Sequence, residues 1–115
     1  MTQEQIINQI VSKYLSQVEI CSSVDEQIID VELEVDGITI YYGNTLHTDG
    51  HTEYSYDTEF CCNEPVDYAI DHVSTTDSSI CFETDAYHTI PDYISTITAK
   101  MLDEIIINEI ENNGI

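Results

Sequence analysis

The chain has 115 residues, of which 23 are Asp or Glu against two Lys and no Arg, for a formal net charge of -21. This length fits one domain spanning residues 1–115, and a hydrophobic fraction of 42% argues against disorder. The charge excludes direct binding to nucleic acid or to an anionic membrane surface, because almost nothing is available to neutralise phosphates.

Residues 2–18 read as a helix. Thr2 and Gln5 fit a capping box, and Ile6, Ile7, Ile10, Val11, Tyr14, Leu15 and Val18 recur at helical spacing. Residues 28–35 then alternate, with Ile29, Val31, Leu33 and Val35 on one side and Asp30, Glu32 and Glu34 on the other. Asp36-Gly37 is a two-residue hairpin signal, with residues 38–42 as the return strand. Residues 43–50, GNTLHTDG, read as a loop or wider hairpin. A third strand is expected over 51–60, with Glu53, Ser55, Asp57 and Glu59 opposed to Thr52, Tyr54, Tyr56, Thr58 and Phe60, until Asn63-Glu64-Pro65 breaks it.

Residues 66–73 favour a strand with Asp67 and Asp71 outward, although Val66, Ala69, Ile70 and Val73 would also make a short helical stripe. Residues 74–79 read as a turn and 80–85 as a fifth strand, with Glu83 and Asp85 outward. Pro91 suits the first turn of a last helix, expected over 91–112 and stopped by Asn113-Gly114. Helix, five strands and helix predict an α+β domain. Its antiparallel meander of about five strands carries the N- and C-terminal helices on one face, in two layers.

That alternation sends Asp30, Glu32, Glu34, Glu53, Asp57, Glu59, Asp67, Asp71, Glu83 and Asp85 to the face away from the helices. Of the 17 acids between Asp25 and Asp92 these ten are the majority, so the charge is expected to gather on one surface. No positive side chain lies between Lys13 and Lys100 to relieve it. The Ile-rich, Ala-poor composition is that of an AT-rich coding sequence, which also supplies Lys, so the shortage of cations runs against its background. Same-face residues on a strand recur about every 6.6–6.8 Å, and phosphates along one DNA strand advance about 3.4 Å along the axis while also winding around it. A row of carboxylates can therefore imitate a row of phosphates and attract a Lys/Arg groove by steering and counterion release. The plain alternative is a solvated face kept for solubility.

In size and charge the chain resembles DNA-mimic proteins, many of them phage-encoded inhibitors of restriction, CRISPR-Cas or other nucleic-acid-binding machinery. The resemblance implies a non-enzymatic inhibitor whose partner is a basic nucleic-acid-binding protein. It covers size and charge alone; such proteins share no single fold, so no site residues carry over.

Other chemistry finds little support. Cys21, Cys61, Cys62 and Cys81 form no C-x-x-C pair and read as free, partly buried thiols. His47 and His51 flank Asp49-Gly50 in what reads as a polar loop, and no stretch has calcium-loop spacing. There is no phosphate-cradling glycine loop, G-x-S-x-G or H-E-x-x-H, so neither catalysis nor a cofactor is expected. Tyr41 would be an interface anchor if it were exposed beside the acids. The apolar residues nearly encircle the last helix at Ile105, Ile106 and Ile107, which leaves room for a homodimer there. A cytoplasmic location is expected, the host cytoplasm if the chain is phage-encoded, since no segment reads as a secretory signal or membrane span. Two other functions stand beside mimicry: an acidic structural or oligomerising protein, and a divalent-metal-binding module.

Overall fold

The computed structural model describes residues 2–20, 25–57, 62–85 and 89–113, with side chains over the same stretches except 53–57, 62–67 and 113. Within these lie α1 (Gln3–Leu15), β1 (Glu26–Val35), β2 (Ile38–Asp57), β3 (Cys62–Glu83), α2 (Asp92–Ser95) and α3 (Ala99–Asn113). The strands form one antiparallel sheet in the order β1-β2-β3. The α+β class and the antiparallel meander agree with the sequence pattern. The strand count does not: the described residues hold three long strands instead of five.

α1 starts where expected. The Thr2 hydroxyl accepts from the Gln5 amide at 3.2 Å, and the Gln5 side chain accepts from the Thr2 amide at 2.9 Å. These bonds satisfy two donors that a helix start would otherwise leave open. Ile6, Ile10, Val11 and Tyr14 face the core.

β1 keeps its alternation throughout. Ile29, Val31, Leu33 and Val35 are buried while Asp30, Glu32 and Glu34 are exposed. Asp36 and Gly37 take φ values of 50° and 79°. Two positive φ angles are what a tight hairpin turn with the sheet's twist requires.

The expected loop at 43–50 and turn at 74–79 are both strand. β2 pairs with β1 as far as His47↔Glu26 and with β3 along its length. Tyr42, Asn44, Leu46 and Thr48 alternate inward and are buried. Gly43 and Gly50 read as loop punctuation, yet each serves a close approach within the sheet. A Cβ on Gly43 would meet the Asp30 carboxylate, and one on Gly50 would meet the Ala69 carbonyl oxygen.

Turn-like residues in β3 mark bulges. Register shifts fall between Gly43 and Thr45, Asp49 and Gly50, and Glu53 and Tyr54, and at each β3 holds one residue more than β2. Asp77, in the first, takes φ 55°, a conformation Asp tolerates better than most residues. The second leaves Asp71 between Ile70 and His72, so Val73 is buried and Ile70 packs against the core as well. The strict alternation expected over 66–73 therefore fails, although the segment is a strand. Pro65 pairs with Tyr54 beside the third bulge, on a strand that lies at the edge of the sheet, where proline's missing N–H is tolerated.

The single helix expected over 91–112 is two. The Thr96 hydroxyl donates to the Asp92 carbonyl at 2.6 Å, and the Thr98 hydroxyl accepts from the Met101 amide at 3.2 Å, which opens α3 afresh. The Gln3 side-chain amide reaches the Tyr93 carbonyl at 2.7 Å and the Thr96 hydroxyl at 2.9 Å, tying α2 to α1. Ile94, Ile97, Leu102, Ile106 and Ile110 join the inward residues of the sheet in one core. Ile105 and Ile107 are half-buried and pack against it.

The molecule measures 70 × 24 × 18 Å. Its length comes from β2 and β3, which run past the last β1 pair as a two-stranded ribbon. From Thr48 to Asp57 that ribbon extends roughly 30 Å at about 3.3 Å per residue.

One polar cluster crosses the core. The Asn44 carbonyl oxygen accepts from the Tyr14 hydroxyl at 2.5 Å, and its amide donates to the Tyr42 hydroxyl at 2.8 Å and the Asp103 carboxylate at 3.0 Å. Tyr42 also donates to Asp103. The two tyrosine rings sit 5.9 Å apart. Burial pushes the Tyr14 phenol well above its ordinary pKa, and burial with the Asp103 hydrogen bond does the same for Tyr42.

Two predictions follow from this cluster. Asn44→Ala leaves Tyr14 and Asp103 short of a partner and should cost about 2–3 kcal/mol in urea unfolding, whereas Tyr14→Phe should cost about 1 kcal/mol. Equal losses would place the energy elsewhere. Both phenols also stay protonated in the folded state above the ordinary value of 10.0, where unfolded tyrosines ionise. The unfolded state then binds fewer protons, so stability is full below that pH and falls as pH rises through and beyond it. Urea midpoints measured on either side of pH 10 should show the fall, and Tyr42→Phe should flatten it.

Candidate functional site: the outward face of the sheet

Cross-strand register sets the outward face in rows. Asp30 lies beside Gly43 and then Ser79; Glu32 beside Tyr41 and then Cys81; Glu34 beside Thr39 and then Glu83. Asp30, Glu32, Glu34 and Glu83 are all exposed. The three β1 acids follow one another at a spacing of about 6.7 Å, and Glu83 stands two strand spacings from Glu34, roughly 9.5 Å. Thr39, Tyr41 and Gly43 at the centre of these rows carry no charge, so the acids here line β1, with Glu83 opposite them on β3.

The remaining candidates divide by location. Asp85, exposed, lies two residues past β3 and lines a shallow hollow of about 370 Å³ with Gly37, Thr39, Glu83 and Thr84. Asp71 sits at a bulge and is 3.0 Å from His51 Nδ1. Glu53 and Asp67 are direct partners across β2 and β3, and Asp57 pairs with Cys62; their side chains lie outside the described residues. Glu59 lies outside them altogether. The structure thus brings Asp30, Glu32, Glu34 and Glu83 to one face, and Asp85 to its end. Charge is not confined there, since α3 carries Asp103, Glu104, Glu109 and Glu111.

Tyr41 is exposed among these acids. Its hydroxyl donates to Glu83 at 2.8 Å. That bond, with the charges of Glu83 and Glu32, raises its pKa and keeps it a neutral phenol. Gly43, Ser79 and Cys81 were not candidates on sequence grounds. Only register places them beside Tyr41, and Cys81 proves an exposed free thiol instead of a partly buried one. Cys21 and Cys61 lie outside the described residues.

Cations contribute at one edge. Lys13 Nζ donates to the Glu32 carbonyl at 3.1 Å, and the Gln17 side-chain amide donates to the Asp30 carbonyl at 2.8 Å. Lys13 on α1 and Gln17 just past its end thus cover β1 carbonyls that face away from β2, which blunts an edge otherwise open to pairing. His47 lies 3.9 Å from Glu26 and 2.7 Å from the Thr76 hydroxyl, in strand instead of the expected loop.

Among the described residues, no group of three or more His, Cys, Asp or Glu could hold a metal ion, and no helix is long and apolar enough to cross a membrane. Compared with family models, curated proteins and solved structures, the chain matches none.

The net charge of -21 predicts a salt response. Raising ionic strength from about 0.1 M to about 1 M shortens the screening length from about 10 Å to about 3 Å, so self-repulsion falls. Thermal unfolding should shift upward by several degrees in sodium chloride; an unmoved midpoint would show that the repulsion is already relieved.

Proposed function

We propose that the protein is a non-enzymatic DNA mimic, an inhibitor of phage type that occupies the nucleic-acid-binding groove of a basic partner such as CRISPR-Cas, restriction or other DNA-binding machinery. It acts sterically, in the cytoplasm where such machinery works. The observation that carries this reading is the exposed ladder of Asp30, Glu32 and Glu34 faced by Glu83 across the sheet. Such a ladder offers a Lys/Arg groove regularly spaced anions on a rigid support. The 70 Å length supports it too, being about two turns of B-DNA at roughly 34–36 Å each.

Binding by this route releases counterions from partner and mimic, so affinity should fall steeply with salt. The test is competition with duplex DNA for a basic DNA-binding enzyme obtained by salt-eluted pull-down. The double variant Glu32→Lys, Glu34→Lys should lose at least tenfold in inhibitory potency while its circular dichroism is unchanged. Undiminished inhibition would remove the β1 ladder from the interface.

A further inference from the structure

The outward face holds a cavity of about 300 Å³, lined by Asp30, Glu32, Tyr41, Gly43, Ser79 and Cys81 together with β1 and β2 backbone. That is roughly the volume of ten waters, enough for one long side chain. Its floor exists because residue 43 has no side chain. The Asp30 carboxylate reaches over Gly43, too close to admit a Cβ there, so an anion lies at the bottom of the hollow. Glu32 adds a second carboxylate from the same strand, two residues along. The Tyr41 ring stands beside the floor, 37% exposed and held by its hydroxyl bond to Glu83. Ser79 and Cys81 close the β3 side without charge.

We propose that this cavity seats one arginine side chain of the basic partner, its guanidinium against the Tyr41 ring and its N–H groups on the Asp30 and Glu32 carboxylates. The inference rests on the acidic-face reading and names the contact by which that face recognises its partner. Charge complementarity selects a cation, and the cavity's remaining features select among cations. A guanidinium is planar and weakly hydrated; it stacks on an aromatic face while its fork of donors bonds carboxylates in its own plane. A lysine ammonium is a compact, strongly hydrated charge that gains less from a ring wall. The same hollow would thus serve as a fixed register point on a face whose other attractions are long-ranged.

The probes are two fluorescein-labelled hexapeptides, identical except that one carries two arginines and the other two lysines, titrated into the intact protein at about 0.15 M ionic strength. The arginine peptide should bind about three- to fivefold more tightly, and Tyr41→Leu should bring the ratio close to one. Asp30→Asn with Glu32→Gln should weaken the arginine peptide about tenfold, while the charge-matched pair Glu104→Gln with Glu111→Gln on α3 should change it less than twofold. Equal loss from both pairs, or a preference that survives Tyr41→Leu, would overturn the pocket in favour of diffuse attraction. Should a variant fail to fold, amide shifts in the wild-type protein decide the matter. Arginine peptide should move Tyr41, Gly43 and Cys81, and silence there overturns the proposal. The DNA competition assay separates the two ideas. If Glu32→Lys, Glu34→Lys still abolishes competition while the peptide results fail, the pocket alone falls; if competition is also unaffected, the acidic-face reading falls with it.

Discussion

Asn44 turns its amide into the core in the first half of β2, and much of the structure depends on where that amide goes. A buried amide without partners would cost several kcal/mol relative to water, of order 2–7 by transfer scales. Tyr14 from α1, Tyr42 from β2 and Asp103 from α3 satisfy it between them. The cluster therefore links both long helices to the central strand. Because Asn44 lies inward, its neighbour Gly43 lies outward, bare, beneath Asp30. Slipping β2 by one residue would bring the amide to the surface and the apolar residues with it. The polar pin inside thus also sets the register of the face outside.

That inner organisation has to hold against the charge on the surface. With 23 acids and two Lys, ion pairing can offset little of the repulsion, and even Lys13 directs its ammonium to a backbone carbonyl. What opposes it is the apolar core: inward Ile, Leu and Val residues of the sheet against Ile6, Ile10, Ile94, Leu102, Ile106 and Ile110. Same-strand carboxylates stay about 6.7 Å apart, so solvent screens each pair. A face built this way keeps Asp30, Glu32 and Glu34 exposed to solvent.

Part of the fold was legible in the residue pattern. α1 was readable from its capping box and apolar spacing, and β1 from strict alternation, because each is stabilised largely by local geometry and one-sided burial. The β1 half of the candidate site was readable for the same reason: Glu32 must face away from Val31 and Leu33. The hairpin at Asp36-Gly37 likewise needs only its own two residues to take positive φ. The long strands were not readable. GNTLHTDG and STTDSS carry the composition of turns, yet they pair with each other as neighbouring strands. Backbone ladders and bulges accommodate there what propensity alone would assign to loops. The break between α2 and α3 depends on two threonine hydroxyls, which periodicity does not register.

Taken alone, the amino-acid order determined the α+β class, the overwhelming negative charge and the outward direction of Asp30, Glu32 and Glu34. Those properties follow from composition and from the two-residue period of a strand. Only tertiary structure decided that β3 brings Glu83, Ser79 and Cys81 alongside Tyr41, and that the Asp30 carboxylate lies over Gly43 on the floor of a hollow. Contacts between residues some forty positions apart are set by cross-strand register and by the bulges that shift it, and neither has a local signature in the chain.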